Sequence, residues 1–561
     1  MPRPANRNTS LYFDYPHYDF VRPPELDGET VRHAVVIVGA GPVGLTAALE
    51  LARHGVRSTV LDDKDTVNDG SRAICIARHS LEILQQLGLA DTFTAKALGW
   101  THGTSFYRTA PVFRLEMPHS PEERFYPMYN IQQQYIEKYL VDAALAEPLI
   151  ELRWLNRLDD LAERSDHLEL FITTPEGSYE TRADRVLAAD GARSAVRKAL
   201  DLKLKGDAYE GSYVIVDIRM HSDYPTERRA FFDPPGNPDS TVLIHKQPDD
   251  IWRVDYQLRE GEDEDTALKE ENIRRRVAAI LDMVGETGSW ELEWWSIYKA
   301  YTLALDDYRH NRVLFLGDAA HLVPIFGVRG LNSGFADAAN AGWKLACVIK
   351  GLAPEALLDS YTPERRGATL DIFANAVKST RFMTPPSRGY RLLREAVLSL
   401  SLSQEFSRPL INPRQSQPYT YAESPLTGFP ERDREFAAGP VAGAPLFNRR
   451  IGKNDYLLDH LGPGFSGLYF CRDGVLPEGL KELFRKLALG DEPFTPIIIT
   501  DSSAGDGVIV DTERNIFDTY GADDKSFYLV RPDRHVCARW RRIEPDEVQL
   551  AFRQALGEPR S

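Results

Sequence analysis

The chain has 561 residues, too many for one hydrophobic core, because cores stop growing near ~250–300 residues, so two or three domains are expected. Its 43% hydrophobic and 27% charged content is that of an ordinary soluble globular protein. Lys and Arg number 67 against 83 Asp and Glu, a net charge of -16, which argues against nucleic acid and anionic membrane surfaces as partners but leaves room for an anionic substrate at a local arginine cluster.

Cys75, Cys347, Cys471 and Cys537 stand at no metal-ligand or redox spacing. Neither a metal site nor a disulfide framework is expected, and a reducing, cytoplasmic setting fits best. No segment reaches ~18 uninterrupted apolar residues, and the first thirty residues lack a signal-peptide apolar stretch. Those residues hold Tyr12, Phe13, Tyr15, Pro16, Tyr18 and Phe20. They read either as an extension lying across a surface or as disorder.

Residues 34–38 (AVVIV) are a continuous apolar run suited to a buried parallel strand. Gly39-Ala40-Gly41-Pro42-Val43-Gly44 follows, then an amphipathic helix with Leu45, Ala48, Leu49 and Ala52 on one face, closed by Gly55. Residues 57–62 (RSTVLD) form the next strand, completing a βαβ unit at the start of a doubly wound sheet. From about 204 to 300 the texture changes to alternating β segments such as 213–219 and 251–258, followed by a solvated acidic run from Glu260 to Glu271. Residues 312–317 return to buried-strand texture, and Ala338, Ala341, Leu345 and Ile349 then mark a long helix. The first domain is therefore discontinuous, with a β-rich domain inserted. Residues 408–445, rich in Pro, Gly and polar residues, suggest a linker. Strands and helices resume at 467–470, 479–488, 496–499, 527–530 and 546–556, enough for a third small α/β domain.

The glycines have separate physical tasks. Gly39 makes the tight turn, Gly41 lets the backbone approach a pyrophosphate beside Ala40, and Gly44 lets helix and strand pack closely, while the helix N-terminus offers free N–H donors. Asp62 ends the second strand, 18 residues after Gly44, where a carboxylate can accept both hydroxyls of an adenosine ribose. Asp63 is an equally available carboxylate. This pattern alone does not separate FAD from NAD.

Three later segments do so by resemblance. Residues 185–197 (RVLAADGARSAVR) resemble the Asp-Gly motif of the class A flavoprotein aromatic hydroxylases. Residues 312–321 (RVLFLGDAAH) resemble that family's Gly-Asp motif, and 324–345 (PIFGVRGLNSGFADAANAGWKL) the segment that holds the isoalloxazine edge. Residues 72–87 and 131–140 look like its flavin-contacting Arg and Gln segments. The C-terminal residues 440–470 and 528–540 are similar to the thioredoxin-like domain of the phenol-hydroxylase and hydroxyphenylpropionate-hydroxylase branch, here without Cys-x-x-Cys, so packing or oligomer contact is its expected use.

The resemblance implies an α/β chain: an N-terminal extension (1–30), a Rossmann-like FAD-binding domain (31–203 and 301–400), an inserted β-rich substrate domain (204–300 with part of 100–130), a linker (401–435) and a thioredoxin-like domain (436–561). It implies FAD as cofactor, NADH or NADPH as co-substrate, O2, and a small aromatic, phenolic substrate hydroxylated by a flavin C4a-hydroperoxide in a dry pocket. Arg72 and Gln133 would bind the pyrophosphate and ribityl parts. Asp190, Gly191 and Arg193 would hold the side shared with the nicotinamide donor. Gly317 and Asp318 would serve the ribityl chain. The N–H groups of Gly330, Leu331 and Asn332, at a helix start, would stabilise negative charge on reduced flavin.

Where the family often has Gly-Gly-Gln-Gly, this chain has Gly327-Val328-Arg329-Gly330, which puts a cation near the flavin or the pocket mouth. His321 belongs to the Gly-Asp motif and is read as structural. Period-two alternation in 251–258 puts Ile251, Arg253, Asp255 and Gln257 on one face. Arg253 and Asp255 are the candidate polar groups of the pocket, with Pro324 at its edge; a structural ion pair at a domain interface is an equal reading. Cys75 lines the pocket or fills space, and Trp290, Trp294 and Trp295 are assigned to the core. Competing readings are epoxidation or Baeyer–Villiger oxidation of a larger polycyclic substrate, and a non-catalytic binding protein on the same scaffold. A plain NAD dehydrogenase has only the first βαβ unit in its favour. A homodimer is expected.

Overall fold

The computed structural model describes residues 9–259, 261–324, 327–411, 417–502 and 507–558. Of the segments singled out above, residues 1–8, Glu260, Ile325 and Phe326 lie outside the described residues, as do 412–416 and 503–506.

The first sheet is parallel at its centre. Arg32–Val38 pairs with Ser58–Leu61 on one side and Gly177–Ala188 on the other; Ile150–Arg153 and Val313–Phe315 extend it outward. Such strands are covered on both faces; Val35, Val36 and Ile37 are completely buried. The helices Pro42–Arg53 and Gly330–Ile349 pack against each other beside it. Between Ile150–Arg153 and Gly177–Ala188 the chain adds an antiparallel pair, Arg157–Glu163 and Leu168–Thr174.

The second sheet has eight strands, in the order His321–Leu322, Trp290–Ala304, Lys205–Met220, Ile251–Gln257, Thr241–Lys246, Arg228–Phe232, His102–Tyr107 and Ala110–Glu116. The period of two sorts its faces. Val214, Val216, Ile244, Trp252, Val254 and Tyr256 pack against Ile273, Val277 and Ile280 of the helix Glu270–Met283. That helix begins where the sequence suggested only a solvated run, because its charged outer face masks a narrow apolar stripe. Trp295 joins this core, whereas Trp294 packs against Gly70 of the first domain, where a Cβ would meet its ring at 2.1 Å.

The third sheet centres on Ser466–Phe470, parallel to Thr495–Thr500 and antiparallel to Phe527–Val530, which continues to Val536–Trp540. Val508–Val510 is its edge strand beside Thr495–Thr500, and with helices Glu478–Lys486, Asn515–Tyr520 and Pro545–Ala555 the order is β-α-β-β-α-β-β-α, a separate α/β unit. Its core runs directly into the first domain: Trp343 and Cys347 of the helix Gly330–Ile349 pack with Phe465, Tyr469 and Trp540.

Residues 9–31 lie across the first two domains. Leu11 N–H donates to Glu293 and its carbonyl accepts from Arg219, while Tyr18 N–H donates to the Asp65 carbonyl and its ring stacks on Trp154 at 4.5 Å. All four cysteines are buried and free. Among the described residues no helix is long and apolar enough to cross a membrane.

Candidate active site

The glycine-rich turn joins the strand Arg32–Val38 to the helix Pro42–Arg53. Gly39 has φ +105, and a Cβ there would meet the Ala189 carbonyl at 2.5 Å; at Gly44 it would meet the Gly39 carbonyl at 2.0 Å. A Cβ at Gly41, by contrast, would meet nothing within 4 Å, and no side chain caps the helix there. Two glycines are thus demanded by packing, and the third leaves an open approach to free N–H groups, the cradle a pyrophosphate needs. Asp62 is tied to this turn: one carboxylate oxygen accepts the Ala40 N–H at 2.7 Å and the other the Lys64 N–H at 3.0 Å. Burial raises its pKa. Asp63 is exposed.

Asp318 sits in the short turn Gly317–Ala319. It is solvent-accessible, yet the protein around it raises its carboxyl pKa, with His321, Arg72 and Arg197 opposing. Asp190 accepts the Val196 N–H at 3.1 Å with one oxygen, while the other is buried without a partner. Gly191 takes φ +77 in the turn, and Arg193 is exposed. Arg197, not singled out in the sequence, bridges the two motifs by donating to the carbonyls of Ala319 at 2.9 Å and Ala192 at 2.5 Å.

The side chain of Gln133 is spent within the protein: Oε1 accepts the N–H groups of Arg72 and Ala73, and Nε2 donates to Glu137. It therefore shapes the loop that presents the exposed Arg72 side chain. Asn332 is likewise saturated, accepting from Ala77 N–H and Ser80 and donating to the Cys75 and Val328 carbonyls. It anchors the start of the helix Gly330–Ile349, where the first intrahelical bond is Ser333 N–H to the Arg329 carbonyl, so the backbone N–H groups of Gly330, Leu331 and Asn332 precede the helical ladder. Arg329 is buried and donates to the Ile372 carbonyl at 2.8 Å, so its cation turns toward the helix Tyr361–Met383. Pro324 is buried beside Val323, whose carbonyl accepts the Tyr298 hydroxyl at 2.9 Å.

Behind the Gly-Asp turn, Asp337 accepts the Gly317 N–H at 2.9 Å and His321 at 2.8 Å with one oxygen and Arg365 at 2.6 Å with the other. Arg365 reaches on to the Tyr421 hydroxyl at 2.9 Å. Next to it Glu364 binds Lys344, Arg531 and Ser424, and Arg531 also binds Asp533. This network joins the flavin end of the first domain to the C-terminal domain. His321 is structural within it.

The inner face of the second sheet is polar. Asp217, Arg253, His245 and Arg228 lie side by side on neighbouring strands, with Asp255 one rung away. Asp217 and Arg253 form a bidentate pair at 2.8 Å and 2.8 Å. Arg253 also donates to the Arg72 carbonyl at 3.1 Å and to the Ser71 carbonyl. It staples the sheet to the loop of Arg72. Asp255 is 7% exposed, lies 3.9 Å from Arg253, and leaves Oδ1 without a hydrogen-bond partner. Burial, only partly offset by Arg253, pushes its pKa up to about 7. His245 has an unpartnered Nδ1 and is held neutral by burial and by Arg228 and Arg253. Cys75 donates to Asn130 at 2.9 Å and its thiol is pushed up to about 12 by burial; it packs with Ala77, Trp100 and Met128.

Asp217 and His245 were legible in principle: each follows a run of three apolar residues, VIV in YVIVDIR and VLI in TVLIHK, and alternation puts each on the inner face. Asp337 and Arg365 carried no such local signal.

The family described as "FAD binding domain" matches residues 32–376. The chain belongs to this family. Its relatives include 3-(3-hydroxy-phenyl)propionate/3-hydroxycinnamic acid hydroxylases from Mycolicibacterium smegmatis, 28% identical over 89% of each chain, and from Escherichia coli, 27% identical over 91% of this chain and 92% of the other. The fold is shared with the flavin-dependent monooxygenase PieE in complex with FAD and substrate (TM-score 0.76, 24% identity, 93% of this chain and 99% of that one) and with aklavinone-11 hydroxylase bound to FAD and aklavinone (TM-score 0.75, 21% identity, 94% and 100%). The family expected from the motifs, the class A flavoprotein aromatic hydroxylases, is the family found. The protein is an FAD-dependent monooxygenase, and FAD is its cofactor. The open turn at Gly41, the solvent-accessible carboxylate of Asp318 and the unpartnered oxygen of Asp190 fit that group.

Proposed function

We propose that the protein hydroxylates a small phenolic compound at the expense of NADH or NADPH and O2, and that Asp255 is its catalytic base. The observation that carries this reading is the carboxylate itself: buried, unpartnered at Oδ1, poised near neutrality, and on the sheet face turned toward the first domain. A phenol is a better nucleophile as phenolate, so a base within reach of its hydroxyl is what the chemistry needs. When bound, FAD accepts hydride from the reduced nicotinamide and activates O2.

Asp255 takes the phenolic proton onto Oδ1. The negative charge then moves from carboxylate to substrate within one field, where the buried guanidinium groups of Arg253 and Arg228 oppose its cost. Arg253 is a positioning residue: its bonds to Asp217 and to the loop of Arg72 set the distance between base and cofactor site. Ala230, Phe232, Leu243 and Met383 form an apolar patch beside Asp255 that keeps water out. Arg72, Asp190, Arg193 and Asp318 are assigned to the cofactor, with Asp62 at the ribose. The curated relatives, named for phenolic acids, make phenolic acids the first class to test. The reading includes a cytoplasmic homodimer; four buried free thiols suit a reducing compartment.

The test is NADH and NADPH oxidation by the FAD-loaded protein with a panel of phenolic acids, with H2O2 and product measured together. One phenol that accelerates oxidation, with little H2O2 and a product one oxygen heavier, is the expected result. No stimulation by any phenol, with a larger polycyclic compound oxidised instead, would overturn it.

A further inference from the structure

The N-terminal segment that lies across the first two domains reaches the polar face of the second sheet. Leu11 is pinned there by both backbone groups: its N–H donates to Glu293 at 2.7 Å and its carbonyl accepts from Arg219 at 3.1 Å. Arg219 stands two residues beyond Asp217 on the same face, and Glu293 adjoins Trp294, which pairs with Asp217 across the sheet. The Ser10 hydroxyl accepts the N–H groups of Tyr12 and Phe13, and the buried Phe13 ring meets Tyr15 and Tyr135 edge-on at 5.0 Å and 5.2 Å. These contacts fix the turn that carries Tyr12. Its hydroxyl is buried without a partner and faces Asp217, Glu293, Tyr15 and Arg253. Burial and the charges of Asp217 and Glu293 push that phenol far above the ordinary tyrosine range, so it keeps a hydrogen to donate. A buried hydroxyl with no acceptor is an exception that asks for one.

A small pivot of Arg253 supplies it. Arg253 Nε donates to Asp217 Oδ1 and Nη2 to Asp217 Oδ2, each at 2.8 Å, and the same Nε lies 3.9 Å from the unpartnered Oδ1 of Asp255. An ionised Asp255 draws that Nε toward itself, and Asp217 Oδ1 then needs another donor. We propose that Tyr12 is a positioning residue of the hydroxylase, its hydroxyl taking Asp217 Oδ1 when Arg253 Nε turns to the ionised Asp255. Arg253 thereby serves the base without stranding a buried carboxylate oxygen. Its bonds to the Arg72 and Ser71 carbonyls hold the guanidinium in place as it pivots. Asp255 faces Arg253 on its own strand, Asp217 and Tyr213 on the next, His245 and Arg228 one rung away, and Cys75 of the first domain. Arg253 is the group that lies within reach of both Asp217 and Asp255.

The inference rests on Asp255 as the base. The test is the pH dependence of hydroxylation by the full-length, FAD-loaded protein and by Tyr12→Phe, which keeps the ring, with the phenolic acid that the panel above selects. Without the hydroxyl, Asp217 keeps Arg253, the ionised Asp255 loses that support and its apparent pKa rises. The profile should move up by about one pH unit, a roughly tenfold slower reaction on the acid side, with the alkaline plateau unchanged. Tyr15→Phe removes a bond from the Gly70 N–H to the same segment but leaves the Tyr12 hydroxyl, and should not move the midpoint. An unchanged flavin spectrum and melting temperature show that each variant is folded.

A Tyr12→Phe profile with the wild-type midpoint, whether or not its plateau falls, or an equal shift in Tyr15→Phe would overturn the inference. Asp255→Asn separates it from the reading beneath it. Lost hydroxylation in that variant together with an unmoved Tyr12→Phe midpoint removes the role of Tyr12 alone. Wild-type hydroxylation by Asp255→Asn, or a panel with no active phenol, removes the base and Tyr12 with it.

Discussion

Two buried ionic clusters flank the cofactor site, and they differ in one respect. Behind the Gly-Asp turn every carboxylate oxygen of Asp337, Glu364 and Asp533 has a partner, and their cationic partners lower all three carboxyls despite burial, Glu364 and Asp533 well below the usual range. On the sheet face, Asp217 is paired, but Asp255 keeps an oxygen and His245 a nitrogen unpartnered, and the pKa of Asp255 is raised. Burial is equal in both, so burial does not identify function. A saturated cluster resists change and serves as scaffold; an unsaturated one carries a desolvation cost that a ligand's hydrogen bond can relieve.

This contrast can be broken by substitution. The largest effect is expected at Asp255→Asn, which should lower hydroxylation by ~10²–10⁴-fold while FAD stays bound and reduced nicotinamide oxidation continues toward H2O2. Paired product and peroxide assays read it. An Asn variant that hydroxylates as the wild type would make Asp255 a second scaffold carboxylate.

Asp337→Ala should instead cost stability, ~3–5 kcal/mol in urea unfolding of the apoprotein, because it strands Arg365 in the interior. A loss within the scatter of surface substitutions would remove the scaffold reading.

The pH dependences should run in opposite senses. The carboxyl of Asp255 is raised to about 7 in the folded state, above ~3.9 unfolded. The folded protein therefore holds that proton more tightly, and stability falls as pH rises from ~4 through ~7, by on the order of 2–4 kcal/mol. Asp337 and Glu364 are lowered, so their contribution is present above ~4 and is lost as pH falls below the unfolded value. Subtracting the unfolding curve of Asp255→Asn from that of the wild type over about pH 5 to 8 isolates the contribution of Asp255. The rate of hydroxylation should rise with ionisation of Asp255, with an apparent pKa about 7 that the variant lacks.

Smaller effects should map the cofactor cleft. Asp318→Ala should weaken FAD binding by ~10–100-fold, the value of a hydrogen bond to a charged group, read by titrating the apoprotein. Asp62→Asn should weaken it less, since the side chain also holds the turn through Ala40, and Asp63→Asn, on an exposed carboxylate, not measurably.

Much of this was legible because it is local. The turn Gly39–Gly44 declares itself through steric needs that act within a few residues, and the inner and outer faces of 251–257 follow from the period of two. Arg253 shows where local reading ends. Its face was evident, but its bonds go to Asp217, 36 residues away, and to the Ser71 and Arg72 carbonyls, 182 and 181 away. Arg329 is the sharper case: beside glycines it suggested a cation at the pocket, but its guanidinium donates to the Ile372 carbonyl on the helix Tyr361–Met383, 43 residues away.

By itself, then, the sequence determined the βαβ start, the alternation of the inserted sheet and the motifs that place the chain among FAD-dependent hydroxylases, since each depends on spacing along the backbone. Only the tertiary structure decided which buried charges are spent and which are free. Hydrogen-bond satisfaction is a property of neighbours brought together across the fold, and Asp255 and Asp337 look alike until those neighbours are counted.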